Sequence, residues 1–372
     1  MKSSPLALLV SSLLLIGAPL AWGDDEAPAA EAAPSEAAPS EASEDAEFVH
    51  EDSEVVPQWG RGPIEISDPY ILAFYRARSW ATTPEVLPHL KGSVALRGIW
   101  SNSYGFETGR MSIDAEVRQV ETILRLGILD RFQAGLIVNY QWRGGGAMDG
   151  FIEGFHKAFG LPNSDRERRP HNRYQVAGLQ ADGSTFQLDH TGYGFGDLVL
   201  EGRAQILEGG DLYPALTGTV RLRLPTGRGK FDMSDGVDWT FGLDASKRLG
   251  SLPLIFYAGV SYTYHDETRI DDLELLRHRG FFYIGLEWEI LPILSVAVHA
   301  WLESPRETLL WQDRAGIPRT DLLVGNWISY IAGGVKLEPI KGLTFELGAL
   351  ENLIDPEVTA DFGVFFSVTL EL

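Results

Sequence analysis

The sequence predicts an all-β protein, an antiparallel transmembrane β-barrel of about twelve strands with a short amphipathic helix in a long extracellular loop. Three observations carry this expectation. From residue 90 onward the dominant hydrophobic period is two. Short connections alternate with long ones, as periplasmic turns alternate with outer loops in such barrels. Aromatic residues recur on the apolar face at the strand ends nearest the long connections, where an interfacial girdle belongs.

The last segment shows the alternation most clearly. Phe362, Val364, Phe366, Val368, Leu370 and Leu372 fall on one face, and Asp361, Gly363, Phe365, Ser367, Thr369 and Glu371 on the other. The same pattern gives strands at 90–102, 111–128, 132–143, 196–206, 212–224, 237–248, 253–265, 280–290, 294–303, 325–338, 343–350 and 361–372. The second is long and loses its phase near Gln119, which suggests either a bulge or a miscounted strand. Trp100, Trp142, Trp239, Tyr264 and Trp327 form the expected girdle. A soluble sandwich or lipocalin-like barrel has no reason to place Trp outward at matched depth.

The N-terminus reads as a secretory signal peptide over 1–23, with Lys2, the apolar run Leu6 to Leu20, and small residues at Ala21 and Gly23. There is no Cys, which excludes lipoprotein attachment, disulfides and thiolate chemistry. No later stretch offers the continuous apolar run of a membrane helix. Residues 24–55 are Ala, Glu, Pro and Ser with twelve acidic side chains and no Lys or Arg, the composition of a disordered arm. That arm accounts for more than half of the formal net charge of −21, so the remainder is only mildly acidic. No basic stripe survives to bind nucleic acid. Residues 56–89 read as a periplasmic arm, an inner plug or an extra strand, and 90–372 as the barrel. The expected location is the outer membrane of a Gram-negative cell. The expected partners are outer-membrane lipid and lipopolysaccharide, the barrel-assembly machinery and an unknown solute. The final strand ends in Leu372 rather than an aromatic residue, a variant of the usual assembly signal.

Charge of both signs occupies the phase expected to face inward. The lumen-lining candidates are Arg97, Arg118, Arg143, Arg203, Arg221, Arg223, Glu201, Asp244, Glu287, Glu289, His299 and Glu303. Asp114, Glu116, Asp197, Asp238 and Glu346 share that expected phase. Glu201 and Arg203 are placed to meet Arg221 and Arg223 across the ladder, and His299 to bond a carboxylate such as Glu303. Two readings fit. One is an internal ion-pair network filling a narrow barrel, since unpaired buried charge is costly. The other is a hydrated pore whose opposed charges orient a solute. The expected function is a narrow channel or transporter for an unknown solute; the alternative is a plugged structural barrel without transport.

The long connection between the third and fourth strands carries the most distinctive stretch: Met148, Asp149, Phe151, Ile152, Glu153, Phe155, His156 and Phe159. Met148, Phe151, Ile152, Phe155 and Phe159 follow helical spacing, and Gly160-Leu161-Pro162 is a stop. Such a helix has three places to go: into the lumen as a constriction, onto the barrel rim, or onto the membrane surface. Asp149, Glu153 and His156 are too few ligands to assign a metal, and no cofactor or catalytic residue is assigned. An embedded lipid hydrolase would need an outward Ser–His pair near the rim. His265 and His299 fall on the inward phase, so an enzyme is not expected.

The stretch Met148-Asp149-Gly150-Phe151-Ile152-Glu153 to His156, followed by Gly160-Leu161-Pro162, is similar to a proteobacterial domain-of-unknown-function family of envelope proteins. Ile113-Asp114-Ala115-Glu116, Gly194-Phe195-Gly196-Asp197 and Leu224-Pro225-Thr226-Gly227 share the resemblance, which covers roughly 60–372. It implies the barrel and supplies no mechanism. The acidic arm departs from the usual mature start of that family.

Overall fold

The computed structural model describes residues 60–160, 166–180, 182–231, 236–306, 327–353 and 359–372. The signal peptide and acidic arm expected over 1–55, and the Leu161-Pro162 helix stop, lie outside these residues.

Seventeen strands are described. They are β1 (Gly92–Glu107), β2 (Met111–Leu129), β3 (Phe132–Gly144), β4 (Gln175–Leu179), β5 (Thr185–Gln187) and β6 (Gly192–Phe195). Next come β7 (Leu198–Glu208), β8 (Ala215–Leu224), β9 (Asp238–Arg248), β10 (Leu254–Tyr264), β11 (Arg269–Ile270) and β12 (Leu273–Glu274). The chain closes with β13 (His278–Leu291), β14 (Leu294–Glu303), β15 (Ile328–Ile340), β16 (Leu343–Asn352) and β17 (Ala360–Glu371). The twelve longer strands pair antiparallel with their neighbours in sequence. β17 returns to pair with β1, with Leu96 opposite Val368 and Trp100 opposite Val364, so the sheet closes into a barrel. Closure removes the unpaired edges that a sheet in lipid cannot tolerate. The short strands β4, β5, β6, β11 and β12 belong to the long connections.

Period two sorts the side chains. Leu96, Leu124, Val220, Phe241, Leu286 and Phe366 point outward and are exposed. On a soluble protein so much exposed apolar surface would be a liability; on a transmembrane barrel it faces lipid. Inward positions carry Arg97, Glu121, Arg221, Asp244, Glu287 and Lys336, all buried. The turns after β2, β7, β9, β13 and β15 are short, and the connections at the other end are longer except for the tight turn between β1 and β2, which defines a short-turn end and a long-loop end.

The strand phase corrects three residues expected to face the lumen. On β2, Val120, Leu124 and Leu126 set the even positions outward, so Arg118 faces outward rather than into the lumen. Its guanidinium lies 4.4 Å from the ring centres of both Trp100 and Trp142. Asp114 and Glu116 share this even phase and are likewise not lumen residues.

Helix α1 (Asp149–Phe159) is not a constriction. Its Met148 and Ile152 pack with Phe362, Trp100, Val364 and Ala349, outward-facing residues of β1, β16 and β17. The long loop therefore lies against the outside of the wall at the long-loop end. Glu116 anchors it, accepting from the Trp100 indole N–H at 2.6 Å and the Ala147 amide at 2.6 Å. Gly146 has φ +66°, and a Cβ there would fall 1.7 Å from the Glu116 carboxyl carbon. Only glycine lets the chain pass that carboxylate. Gly160 (φ +70°) ends the helix in the left-handed conformation, its N–H donating to the His156 carbonyl.

Candidate functional site

The lumen is filled by residues 60–90, which run up from the short-turn end, turn near the long-loop end and descend to enter β1. The ascending arm begins where the Arg61 amide donates to Glu287 at 3.1 Å and Lys336 Nζ donates to the Gly62 and Pro63 carbonyls at 2.6 and 2.9 Å. His299 Nδ1 lies 3.1 Å from the Ile64 carbonyl, and Ser101 Oγ donates to the Pro69 carbonyl at 2.7 Å. A 3₁₀ turn over Ile71–Tyr75 forms the tip. On the way down, the Ala77 amide donates to Asp238 at 2.9 Å and Thr82 Oγ1 to Asp244 at 3.0 Å. Arg203 donates to the Thr83 carbonyl, and the Leu87 amide donates to Gln133 at 3.0 Å. Gly127 lets the arm leave, since a Cβ there would sit 2.0 Å from the Pro88 carbonyl oxygen. Leu90, at φ +60°, makes the turn into β1.

Two kinds of contact hold this hairpin. At the tip, Tyr70, Ile71, Leu72, Phe74 and Tyr75 join an apolar core with Tyr257, Tyr283, Trp301 and Tyr330 of the wall. Along the arms the contacts are charged. Arg125 donates to Glu65 of the hairpin at 3.2 Å and to Glu201 of the wall at 3.1 Å. Arg97 donates to Glu121 at 2.7 Å, and Arg78 of the hairpin reaches the same carboxylate at 3.1 Å. Cations and carboxylates thus alternate between wall and hairpin, the arrangement that offsets the cost of burying charge. Burial alone would raise the Glu65 carboxyl, but Arg125 and Arg97 beside it hold it below its usual value. Glu85, off the spanning strands like Glu65, is pushed up to about 7 by burial and then by Glu371, with Arg203 opposing.

The other expected lumen residues are placed as follows. Arg221 donates to Glu201 at 2.8 Å, directly opposite it in register. Arg223 bridges Asp238 at 2.6 Å and Asp197. Arg143 donates to Gln141 at 2.8 Å and to the Phe74 carbonyl at 3.4 Å. Glu289 pairs with Arg248 at 2.6 Å, and Glu287 accepts from Tyr257 Oη at 2.6 Å. Glu303 pairs with Arg279, so His299 meets a hairpin carbonyl and not the expected Glu303.

Loops cover the long-loop end. Arg76 donates to the Arg269 carbonyl at 2.9 Å, and Gln180 Nε2 to the Asp272 carbonyl at 2.7 Å. At the short-turn end a cavity of about 170 Å³ remains, bounded by Glu65, Glu85, Arg97, Arg125, Arg203 and Lys336. The helix residues do not converge on a ligand. Asp149 pairs with Arg166, Glu153 with His171 at 2.8 Å, and His156 with Glu351 at 3.4 Å. Among the described residues no group of three or more His, Asp or Glu is arranged to hold a metal.

Sequence reasoning missed Glu65, Asp68, Arg78 and Lys336, which the hairpin brings into the network. The available signal was Pro63-Ile64-Glu65-Ile66 and Ile71-Leu72-Ala73-Phe74, apolar runs too short to be barrel strands.

Comparison with solved structures finds barrels. The COG4313 outer membrane channel from Pseudomonas putida F1 aligns at TM-score 0.49 and 12% identity, covering 77% of this chain and 97% of that one. The NanC porin aligns at TM-score 0.42 and 8% identity over 75% of this chain and all of that one. The KdgM porin aligns at TM-score 0.37 and 7% identity over 75% and 98%. At such values these likenesses add nothing to the fold that the strand pairing establishes. No curated protein matches the sequence. A family model does match, over residues 47–371, and its description is "Protein of unknown function (DUF3187)". The chain belongs to the DUF3187 family, as its resemblance to a domain-of-unknown-function family implied.

Proposed function

We propose that this protein is an outer-membrane channel for a small polar solute, closed in this conformation by its own N-terminal hairpin. The carrying observation is that the wall's charges grip the hairpin largely through its backbone. Lys336, Arg97, Arg203 and Arg143 all donate to hairpin carbonyls. A barrel filled only for stability gains nothing from buried cations over apolar side chains. If the hairpin moves, these groups face water and counter-charges across the wall, and the passage left is polar. The cavity at the short-turn end is the part of that passage already open. The apolar packing of Tyr70 to Tyr75 favours the second reading, a permanently filled barrel without transport.

A disulfide lock separates the two. Ser261 Oγ donates to Ser79 Oγ at 2.7 Å, joining wall and hairpin in a chain that has no Cys. The Ser79→Cys/Ser261→Cys variant, reconstituted in a planar bilayer, is expected to be silent when oxidised and to show gated conductance when reduced. Silence in the reduced variant and in the wild type under every applied potential refutes the channel.

A further inference from the structure

We propose that α1 together with Trp100, Arg118 and Trp142 forms a docking site for a phosphorylated glycolipid of the outer leaflet. The proposal rests on the reading above only in taking the long-loop end as the cell exterior.

Arg118 is the first observation. It lies on the lipid-facing phase of β2 with its side chain 46% exposed. An arginine on the lipid face is costly at mid-membrane and tolerated at the interface, so its level marks headgroup depth. Val364, Trp100, Arg118, Trp142 and Tyr193 stand opposite one another on β17, β1, β2, β3 and β6, a continuous row at that level. The two tryptophans sandwich the guanidinium and fix its plane. Its acidic neighbour, Glu116, is 3.9 Å away and already accepts from Trp100, Ala147 and Met148. The guanidinium donors are therefore available to an external oxyanion, and its planar fork suits phosphate.

The second observation is the helix. Asp149, Ile152 and His156 face the wall and are buried. Phe151, Phe155 and Phe159, one turn apart, form a second stripe, with Phe151 57% and Phe159 70% exposed. Phe151 and Phe155 pack tilted against Phe362, at 5.6 and 5.1 Å between ring centres, so the stripe continues the lipid-facing wall. Glu153 and Lys157 lie on the opposite side. The helix is held rigidly by Glu116 and by the Asp149–Arg166 pair. An apolar stripe continuous with the lipid-facing wall receives acyl chains, and a cation at headgroup depth beside it receives phosphate. The outer leaflet offers both in one molecule.

The test titrates the full-length protein, refolded in neutral detergent, with lipid A and follows the unfolding temperature. Wild type is expected to be stabilised in a saturable way. Arg118→Gln is expected to weaken the apparent affinity at least about tenfold, the loss of one charge-assisted contact. Phe151→Ser/Phe159→Ser is expected to abolish the response, with both variants keeping the heat-modifiable gel mobility of a folded barrel. Dephosphorylated lipid A, added to wild type, tests the phosphate without any substitution and is expected to be inert. Equal responses to phosphorylated and dephosphorylated lipid, to phosphatidylglycerol, or by Arg118→Gln overturn the proposal. None of these residues takes part in the disulfide lock, so the channel reading fails or stands separately.

Discussion

Replacing Lys336 by Met tests how the hairpin is held. Lys336 Nζ donates to the Gly62 and Pro63 carbonyls at 2.6 and 2.9 Å and lies 3.5 Å from the Glu346 carboxylate. Both side chains are buried. The substitution removes three charge-assisted hydrogen bonds to the hairpin, to the Arg61, Gly62 and Pro63 carbonyls, and leaves Glu346 buried beside Ser367 alone. Breaking a buried pair from one side costs about 3 kcal/mol or more. Not all of that falls on the hairpin, because Glu346 belongs to the wall and is relieved when water enters. A loss of about 3 kcal/mol in docking raises the undocked population about a hundredfold. The assay is trypsin cleavage at Arg76 and Arg78, both deep in the lumen and reachable only when the hairpin leaves. When reclosing outpaces cleavage, the rate follows the undocked population. Lys336→Met is expected to be cut about a hundredfold faster than wild type. Lys336→Met/Glu346→Met, which strands no charge, is expected to return part of the way. Equal cleavage rates in all three, with intact heat-modifiability, would refute the argument that these contacts hold the hairpin.

Other outcomes follow from the same geometry. Glu201→Gln removes the carboxylate partner of Arg221 and leaves Arg125 with Glu65 alone, and a loss of about 3 kcal/mol or more should show as poor refolding yield by gel mobility. Glu208→Gln breaks only the exposed pair with Arg131 and should refold within about 0.5 kcal/mol of wild type. Gly146→Ala should detach α1 from the wall and speed trypsin cleavage after the already exposed Lys157, while leaving conductance unchanged. Glu85 gives a pH dependence. Its docked carboxyl is raised to about 7 from an ordinary 4.5, so ionising it opposes docking. That destabilisation is absent below 4.5, grows as pH rises and is complete above 7. Trypsin-independent solvent labelling of the hairpin should therefore increase from pH 5 to 7.5 in wild type and lose this component in Glu85→Gln.

The barrel was legible because one physical rule governs every strand: lipid on one side and lumen on the other impose period two. The expected strand at 294–303 matches β14, and 111–128 matches β2 to within one residue. The error at Arg118 came from reading phase by charge. The apolar neighbours Val120 and Leu124 settle that phase, and an arginine at headgroup depth belongs on the lipid face. The helix was legible from its spacing, but its position was not. That depends on Glu116, which lies on another strand, and on a glycine whose need appears only once the two are brought together. The hairpin was least legible. Its residues obey no period, because their partners are side chains from many strands at unrelated sequence distances. Asp68, for example, accepts from Tyr330 at 2.9 Å, 262 positions away.

The most direct test is whether the hairpin occupies the lumen in the native membrane. Cells expressing Ser79→Cys/Ser261→Cys would be treated with a mild oxidant and the chain resolved on a non-reducing gel. Near-complete formation of an internal crosslink, reversed by reductant, is expected, and none between Ser79→Cys and a cysteine at exposed Leu212 in the turn after β7. A Ser79→Cys/Ser261→Cys chain that stays uncrosslinked, though folded and reactive to thiol reagents, would contradict that placement of the hairpin.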